Sequence, residues 1–569
     1  MQNRLATIGD VAGKHFDFVV IGGGTAGLTL ASRLTENPRV SVVVLEAGDA
    51  HFEDSKILTP DGFMRQLRQP EYDWAFWTVP QKHSGDKVIS WSRGKGLGGS
   101  SAMNFLMWTT PQREDIDGFE KLGNTGWKWE MLATYMKKIE RSPSGLGLIP
   151  VGYAHTPSGA ELPFQQSMNA NGIPIASVDD TTCGSWMSPS SIEPETGCRV
   201  DATTAYLLPA LQRPNLHVLT GAYVTKLLTS DGTRLTAMGA EFVYNSLLHN
   251  VYVDKEIILS AGAVKSPQIL ELSGIGNCKL LRSLGIPVKM DLPAVGGSLR
   301  DKVTVSIVLE MKEGHDIFSF NLMANPEFHS RLNEVYPNAT GKFSSVVSGM
   351  TFIPTQALPE GTQASIFSTA ETFVQNAKQH GLYTKVHELL MDHLGNSKVP
   401  DFEVIVTPFV PGAPNPKKAY IALVICLSHP FSSGDTHIQS ADPQIAPLID
   451  PCVFECAIDL NILVEAFKFT RKVIQTAPFC DLVSKEIRPG PEVQSDNEIK
   501  AAIQGNIATI WHSSGTVSMM PKEIGGVVDT KLKVYGTTNV RVVDMSIVPL
   551  PIGTHTQCML ISISHWYEL

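Results

Sequence analysis

The spacing of apolar residues predicts the first elements. The run Phe16–Ile21 is rich in β-branched and aromatic residues and predicts a strand. Apolar positions then recur at helical spacing through Leu28, Leu30, Ala31 and Leu34, and a second apolar run, Val42–Leu45, predicts another strand. Between the first strand and the helix lies Gly22-Gly23-Gly24-Thr25-Ala26-Gly27, and the second strand ends in Glu46. The order is strand, glycine turn, helix, strand, acid. Gly22 permits a tight turn, Gly24 lets backbone approach a pyrophosphate at the helix N-terminus, and Gly27 lets the helix lie close to the strand. Glu46 stands where a carboxylate accepts hydrogen bonds from ribose hydroxyls. This stretch predicts a site for an adenine dinucleotide.

Further along, Phe119, Leu122, Met131, Leu132, Tyr135 and Met136 predict surface helices. The cluster Tyr72 to Trp77 predicts core or a domain interface. From His155 to Cys198, Pro, Ser, Thr, Gly and Asn dominate, which predicts loops, either bordering a substrate entrance or without function. Strands are expected at Val218-Leu219, Tyr223–Leu228, Ala240–Tyr244 and Asn250–Leu259, with a helix opening at Ser266-Pro267. Alternation over Val303–Met311 and Phe402–Pro408 suggests a second sheet, and Leu463, Ala466, Phe467 and Val473 a helix. No internal repeat or low-complexity tract is visible.

Composition narrows the classes. A chain of 569 residues with 43% hydrophobic and 18% charged residues reads as a globular enzyme of two or more large lobes. A net charge of −10 gives no reason to expect nucleic acid or an anionic membrane as partner. No apolar run is long enough for a membrane span, and the N-terminus lacks the apolar core of a secretory signal, so an intracellular location is expected. The eight cysteines are scattered, without metal-ligand spacing, and no metal is expected. Cys183 and Cys198 share one loop-like stretch and are the pair to consider for a disulfide in an oxidising compartment.

A second glycine-dense loop, Gly94-Lys95-Gly96-Leu97-Gly98-Gly99-Ser100-Ser101-Ala102-Met103-Asn104, is followed by Trp108, Pro111 and Asp117. It resembles the first signature of the glucose-methanol-choline (GMC) flavoprotein oxidoreductases at every specified position. Gly262-Ala263, Ser266-Pro267, Ile269-Leu270 and Ser273-Gly274-Ile275-Gly276 resemble the second. The resemblance implies FAD, a choice over NAD that the N-terminal turn alone leaves open. It implies cofactor contacts from Gly22, Gly24, Thr25, Ala26, Gly27 and Glu46, then from Ser100, Asn104, Phe105 and Met107. Val224, Asp544, Met545, Thr556 and Gln557 complete that set. Met545 replaces a usually smaller residue. Neither Met103 nor Asn104 is a histidine, so the family's histidyl linkages at these positions are not available and FAD is expected to be noncovalent. The end of the chain, Leu560 to Leu569, is shorter and more aromatic than the family's closing helix, which implies altered packing and weaker FAD retention.

The chain has 16 histidines, and spacing alone singles out none of them. The resemblance matches His512 and His555 to the family's catalytic histidine and its partner. Oxidising an alcohol by flavin requires loss of the hydroxyl proton and transfer of hydride to flavin N5, and an imidazole suits the proton. His512 is then the general base, and His555 holds the substrate oxygen and titrates with it. Trp511 either lines the pocket or fills core.

The expected fold is α/β, a discontinuous Rossmann-like FAD lobe (1–155, 200–302 and 501–569) with a sheet-plus-helices substrate lobe (156–199 and 303–500). The expected reaction is oxidation of a primary or secondary alcohol, with oxygen or a quinone-type compound as acceptor. One alternative is a lyase or cyclase that keeps FAD as a structural element. Another is a catalytically silent binding protein. Substrate identity, oxidase or dehydrogenase character and oligomeric state are not encoded in these patterns.

Overall fold

The computed structural model describes residues 5–141, 147–153, 157–176, 183–230, 234–325 and 347–566. Positions 155, 156 and 177–182 of the expected loops and 567–569 of the expected short C-terminus lie outside the described residues. The architecture is α/β, organised by two seven-stranded sheets.

The first sheet grows from the N-terminal strand. His15–Ile21 pairs in parallel with Val42–Leu45 on one side and Leu247–Leu259 on the other. Leu216–Leu219 extends the parallel array beyond Val42–Leu45, and Val540–Val542 joins Leu247–Leu259 from the far end of the chain. Ala237–Tyr244 and Tyr223–Thr229 follow as antiparallel strands. Val19, Val20 and Val42–Val44 are fully buried. Strands covered on both faces read as unbroken apolar runs, which is why they are visible without alternation.

The second sheet is antiparallel and spatially ordered Val483–Arg488, Val303–Met311, Tyr420–Leu427, Phe402–Thr407, Gly349–Ile353, Gly184–Met187. Ala508–Thr509, beyond the expected lobe boundary at 500, also pairs with Val303–Met311. The helix Ala457–Ile474 packs on the two central strands, and Glu360–Gln379 packs on that helix.

Two expectations need correction. The second signature does not open a helix at Ser266-Pro267; the helix is Gly262–Leu272, with Pro267 inside it. It starts early because Asp544 Oδ2 accepts the Gly262 N–H at 2.9 Å, and Ser266 Oγ accepts from Ala261 N at 3.1 Å. A carboxylate at a helix N-terminus also meets the positive end of the helix dipole.

The polar stretch before Cys198 is not all loop. It contains the helix Glu161–Ala170 and the sheet strand Gly184–Met187. Its buried helical face includes Glu161, Gln165 and Ser167 beside Phe164 and Met168, so the apolar period was masked by polar members. Glu161 is tolerated there because its Oε1 accepts from Ser158 N at 2.9 Å and Ser348 Oγ at 2.8 Å.

No disulfide joins Cys183 to Cys198, and none of the eight cysteines is in one. The C-terminal helix Gln557–Trp566 is short but well packed, lying against Thr25–Leu34 and Trp129–Ile139 with Met559, Ile561 and Ile563 fully buried. Among the described residues no helix is long and apolar enough to cross a membrane.

Candidate active site

A cavity of about 460 Å³ runs between the glycine turn and the second sheet. At one end it is lined by Gly22, Gly24, Thr25, Ala26, Glu46 and Val224. Gly24 is the N-cap of the helix Thr25–Leu34 and has no side chain to cap it, which leaves first-turn N–H groups for an anionic ligand. Gly27 does not line the cavity. A Cβ there would meet Gly22 O at 2.0 Å, so its role is close packing of helix and turn. The two glycine loops also touch: Gly98 N donates to Gly23 O at 2.9 Å, and a Cβ on Gly99 would lie 2.7 Å from Gly24 Cα.

Glu46 sits beneath this cradle. Its Oε2 accepts from Gly23 N at 2.7 Å, and Oε1 accepts from Gly48 N at 2.8 Å and Gly96 N at 3.0 Å. One carboxylate thus ties both glycine loops to the end of its strand. Oε2 keeps a lone pair for a further donor such as a ribose hydroxyl.

The middle of the cavity is lined by Ser100, Asn104, Phe105, Met107, Asp544, Met545, Thr556 and Gln557. Asn104 Nδ2 donates to Gln557 Oε1 at 2.5 Å, and Asn104 Oδ1 accepts from Arg199 Nη1 at 2.7 Å. Gln557 Nε2 is buried without a partner. That orphaned donor and the uncapped helix fit a ligand with phosphates at one end and a ring carbonyl or ring nitrogen further in. Met545 packs against the main core, so its bulk is accommodated.

His512 and His555 line the far end. Their rings meet edge to face, with centroids 4.9 Å apart and planes at 83°. His512 Nδ1 is buried without a hydrogen-bond partner. Burial, with the nearby Lys302, His555 and Arg93, holds this imidazole well below its ordinary pKa and therefore neutral at pH 7. His555 Nε2 lies 3.1 Å from Glu403 Oε1. A carboxylate oxygen accepts there, so Nε2 carries a ring proton. Trp511 lines the cavity, stacks on Phe105 at 6.0 Å and donates from Nε1 to Ser90 O at 3.1 Å.

The segments that carry the two histidines are clipped by consecutive residues at the start of the strand Val303–Met311. Asp301 Oδ1 accepts the His512 N–H at 2.7 Å, and Oδ2 accepts from Ser513 Oγ at 2.7 Å. Lys302 Nζ donates to Gly553 O and Thr554 O, both at 2.6 Å. Arg93 donates to Trp511 O and Ser513 Oγ and faces Asp301 Oδ2 at 3.6 Å.

Asp115, His393 and His429 place three ligand atoms within 4.8 Å of one another, although the chain spacing gave no metal set. Their contacts include ordinary hydrogen bonds: His429 Nε2 is 2.8 Å from Asp115 Oδ1, and Asp115 Oδ2 accepts the Gly553 N–H at 2.7 Å. This cluster thus anchors the loop that carries His555.

Sequence reasoning missed Glu403, Lys302, Asp301, Arg93 and Arg199. For Glu403 a signal existed, since it is the one acid inside the apolar run Phe402–Thr407. The others are charges in loops or at strand ends, where pattern distinguishes them from surface residues only after folding.

A dinucleotide cradle opening onto a half-buried histidine pair defines an oxidoreductase on a flavoprotein fold. Two GMC oxidoreductase family models match residues 16–304 and 430–564, and the chain belongs to that family. It is 34% identical to the GMC oxidoreductase family protein Mala s 12 of Malassezia sympodialis, covering 97% of this chain and 91% of that protein. It is 31% identical to the mitochondrial choline dehydrogenase of Homo sapiens, covering 96% and 88%. Among solved structures, an FAD-dependent oxidoreductase from Chaetomium thermophilum superposes with a TM-score of 0.86 at 26% identity, covering 97% of this chain and 98% of that one.

Proposed function

We propose that this GMC oxidoreductase oxidises an alcohol to an aldehyde or ketone, with His512 as general base and His555 as its partner. The observation that carries the reading is the His512 ring itself: kept neutral, with Nδ1 unpartnered, and edge to face with His555 in one cavity. Its cofactor is FAD, held noncovalently. The N–H groups that open the helix at Thr25 would take the pyrophosphate, and Glu46 the ribose. Asn104, Thr556 and Gln557 would face the ring. Bound FAD supplies the acceptor for the hydride that leaves the carbinol carbon.

The protein's own groups handle the proton. His512 accepts the hydroxyl proton as the C–O bond becomes double, so one proton and one hydride leave the alcohol together. His555, its Nε2 proton held by Glu403, shares the proton with His512. Oxygen or a quinone-type acceptor reoxidises the cofactor. We assign 1–155, 200–302 and 501–569 to the FAD lobe and 156–199 and 303–500 to the substrate lobe, the strand Ala508–Thr509 crossing between them.

The test is anaerobic mixing of the yellow holoenzyme with alcohols. Bleaching of the flavin is expected, and His512→Ala should slow it by at least about 10²-fold with the cofactor still bound. An undiminished rate in that variant would remove His512 from the chemistry. Turnover with an unchanged flavin spectrum would establish the non-redox alternative.

A further inference from the structure

We propose that the substrate is an uncharged, apolar alcohol, aryl or alkyl, and not a quaternary ammonium alcohol or a polyol. This rests on the reading of His512 and His555 as the proton-handling pair. The substrate end of the cavity is walled by one face of the second sheet, and the strand register orders that wall in rows. Side chains two apart on a strand share a face. Glu403, Ile405 and Thr407 therefore form one column, and their antiparallel partners Cys426, Val424 and Ala422 form the next. Thr304, Ser306 and Val308 pair with those same three residues and form a third column.

The row nearest His555 contains Glu403, and that carboxylate is engaged with the imidazole. Beyond it the wall turns apolar. Ile405, Val424 and Ser306 line the next row, and Val308, Ala422 and Thr407 the one after. Phe105, Phe409 and Trp511 complete the enclosure.

Among the described residues, none that lines this end of the cavity is acidic; Glu403 stands outside the lining, fully buried against His555, with its second oxygen unpartnered but out of a substrate's reach. Glu46 and Asp544 lie on the cofactor side, spent on backbone N–H groups and Ser266. Arg488, which pairs with Val308 at the outer edge of the sheet, lines this end, whereas Lys302 is buried behind the histidines with Glu403 and Asp301 beside it. A quaternary ammonium entering here would lose water without gaining a carboxylate, a desolvation that an apolar wall does not offset. A sugar fares little better. Its hydroxyls would meet only the Thr304, Ser306 and Thr407 hydroxyls on this wall, and Thr407 Oγ1 already accepts from Phe409 N at 3.2 Å. Benzyl or long-chain alkyl groups, in contrast, bury apolar surface against Ile405, Val424 and the aromatic side chains.

The experiment compares benzyl alcohol, 1-octanol, choline and glucose as reductants of the holoenzyme under anaerobic conditions, read as flavin bleaching. Benzyl alcohol or octanol is expected to exceed both choline and glucose by at least about 100-fold in apparent second-order rate constant, a difference of two well-filled side-chain contacts or more. Choline or glucose equalling the apolar alcohols would overturn the proposed substrate class and leave the oxidation reading standing. Bleaching by none of the four would sink the oxidation reading and this proposal together. Phe409→Ala, with its flavin spectrum intact, should raise the concentration of benzyl alcohol needed for half-maximal bleaching by about tenfold, since it removes one aromatic contact from the enclosure. An unchanged requirement in that variant would also overturn the proposal.

Discussion

Glu403 Oε1 lies 3.1 Å from His555 Nε2, and the carboxylate is fully buried while its other oxygen has no partner. A buried acid with an orphaned oxygen is costly, so the strand Phe402–Thr407 keeps it in return for orienting an imidazole. Glu403→Gln preserves shape but offers an amide that either donates to Nε2, reversing the tautomer, or accepts more weakly. Flavin reduction by a good alcohol should fall by about 10²-fold, with the apparent substrate affinity changed much less. Stopped-flow measurement over a range of alcohol concentrations separates the two. Loss of affinity at an undiminished limiting rate would place Glu403 in binding and not in orientation.

The depressed pKa of His512 fixes the direction of the pH dependence. Burial comes first among its causes, followed by Lys302, His555 and Arg93. A histidine whose folded pKa lies below the ordinary value of 6.5 is neutral at pH 7 and gains a proton only on acidification past that lowered value. The rate of flavin reduction should therefore be flat from pH 7 upward and decline only below about 6.5. Reduction rates measured between pH 5 and 9 provide the check. An acidic limb centred above pH 7 would contradict the arrangement.

What the sequence made legible follows from where the constraints are local. The glycine turn, its flanking strands and Glu46 lie within one short stretch, and each residue type is dictated by backbone geometry, so pattern alone located them. The partner of Glu46 was not legible in the same way. A carboxylate expected to accept from ribose hydroxyls also stitches Gly23, Gly48 and Gly96 together, because Gly96 arrives from a separate loop. His512 and His555 became identifiable through the family resemblance, since no local period distinguishes a catalytic histidine. Glu403, Lys302 and Asp301 act through contacts between distant segments, which exist only in the folded chain. The helix Glu161–Ala170 was hidden for a different reason: its buried face carries polar side chains satisfied by tertiary partners.

Gly27 gives a test of the cradle that does not depend on the reaction. An added Cβ would sit 2.0 Å from Gly22 O in the turn and 3.3 Å from Ser260 Cβ, at the end of the strand Leu247–Leu259. Backbone must move to admit it. Gly27→Ala should purify with most of its FAD lost and with stability reduced by about 1–3 kcal/mol, the usual cost of overpacking. Absorbance at the flavin band and a thermal melt provide the readouts. Full cofactor retention would mean that the close approach of helix and turn is dispensable.

Lys302 links electrostatics to loop position. The residue is 2% exposed and its ammonium donates to Gly553 O and Thr554 O, just ahead of His555, while its positive charge is one of the causes that depress the pKa of His512. Burial lowers the pKa of Lys302, with Glu403, Cys426, Asp115 and Asp301 opposing that shift. Lys302→Met keeps the length of the side chain but removes both the donor and the charge. Two carbonyls lose a charged partner, so stability should drop by about 2 kcal/mol. Removing a nearby cation also makes protonation of His512 easier, so the acidic limb of the reduction profile should move to higher pH. Lys302→Arg keeps the charge and should leave that limb near its wild-type position even where stability is lost. A profile unmoved in Lys302→Met would show that the ammonium serves the loop alone, whereas a shift in Met that Arg reverses would tie the reactivity of His512 to the charge behind it.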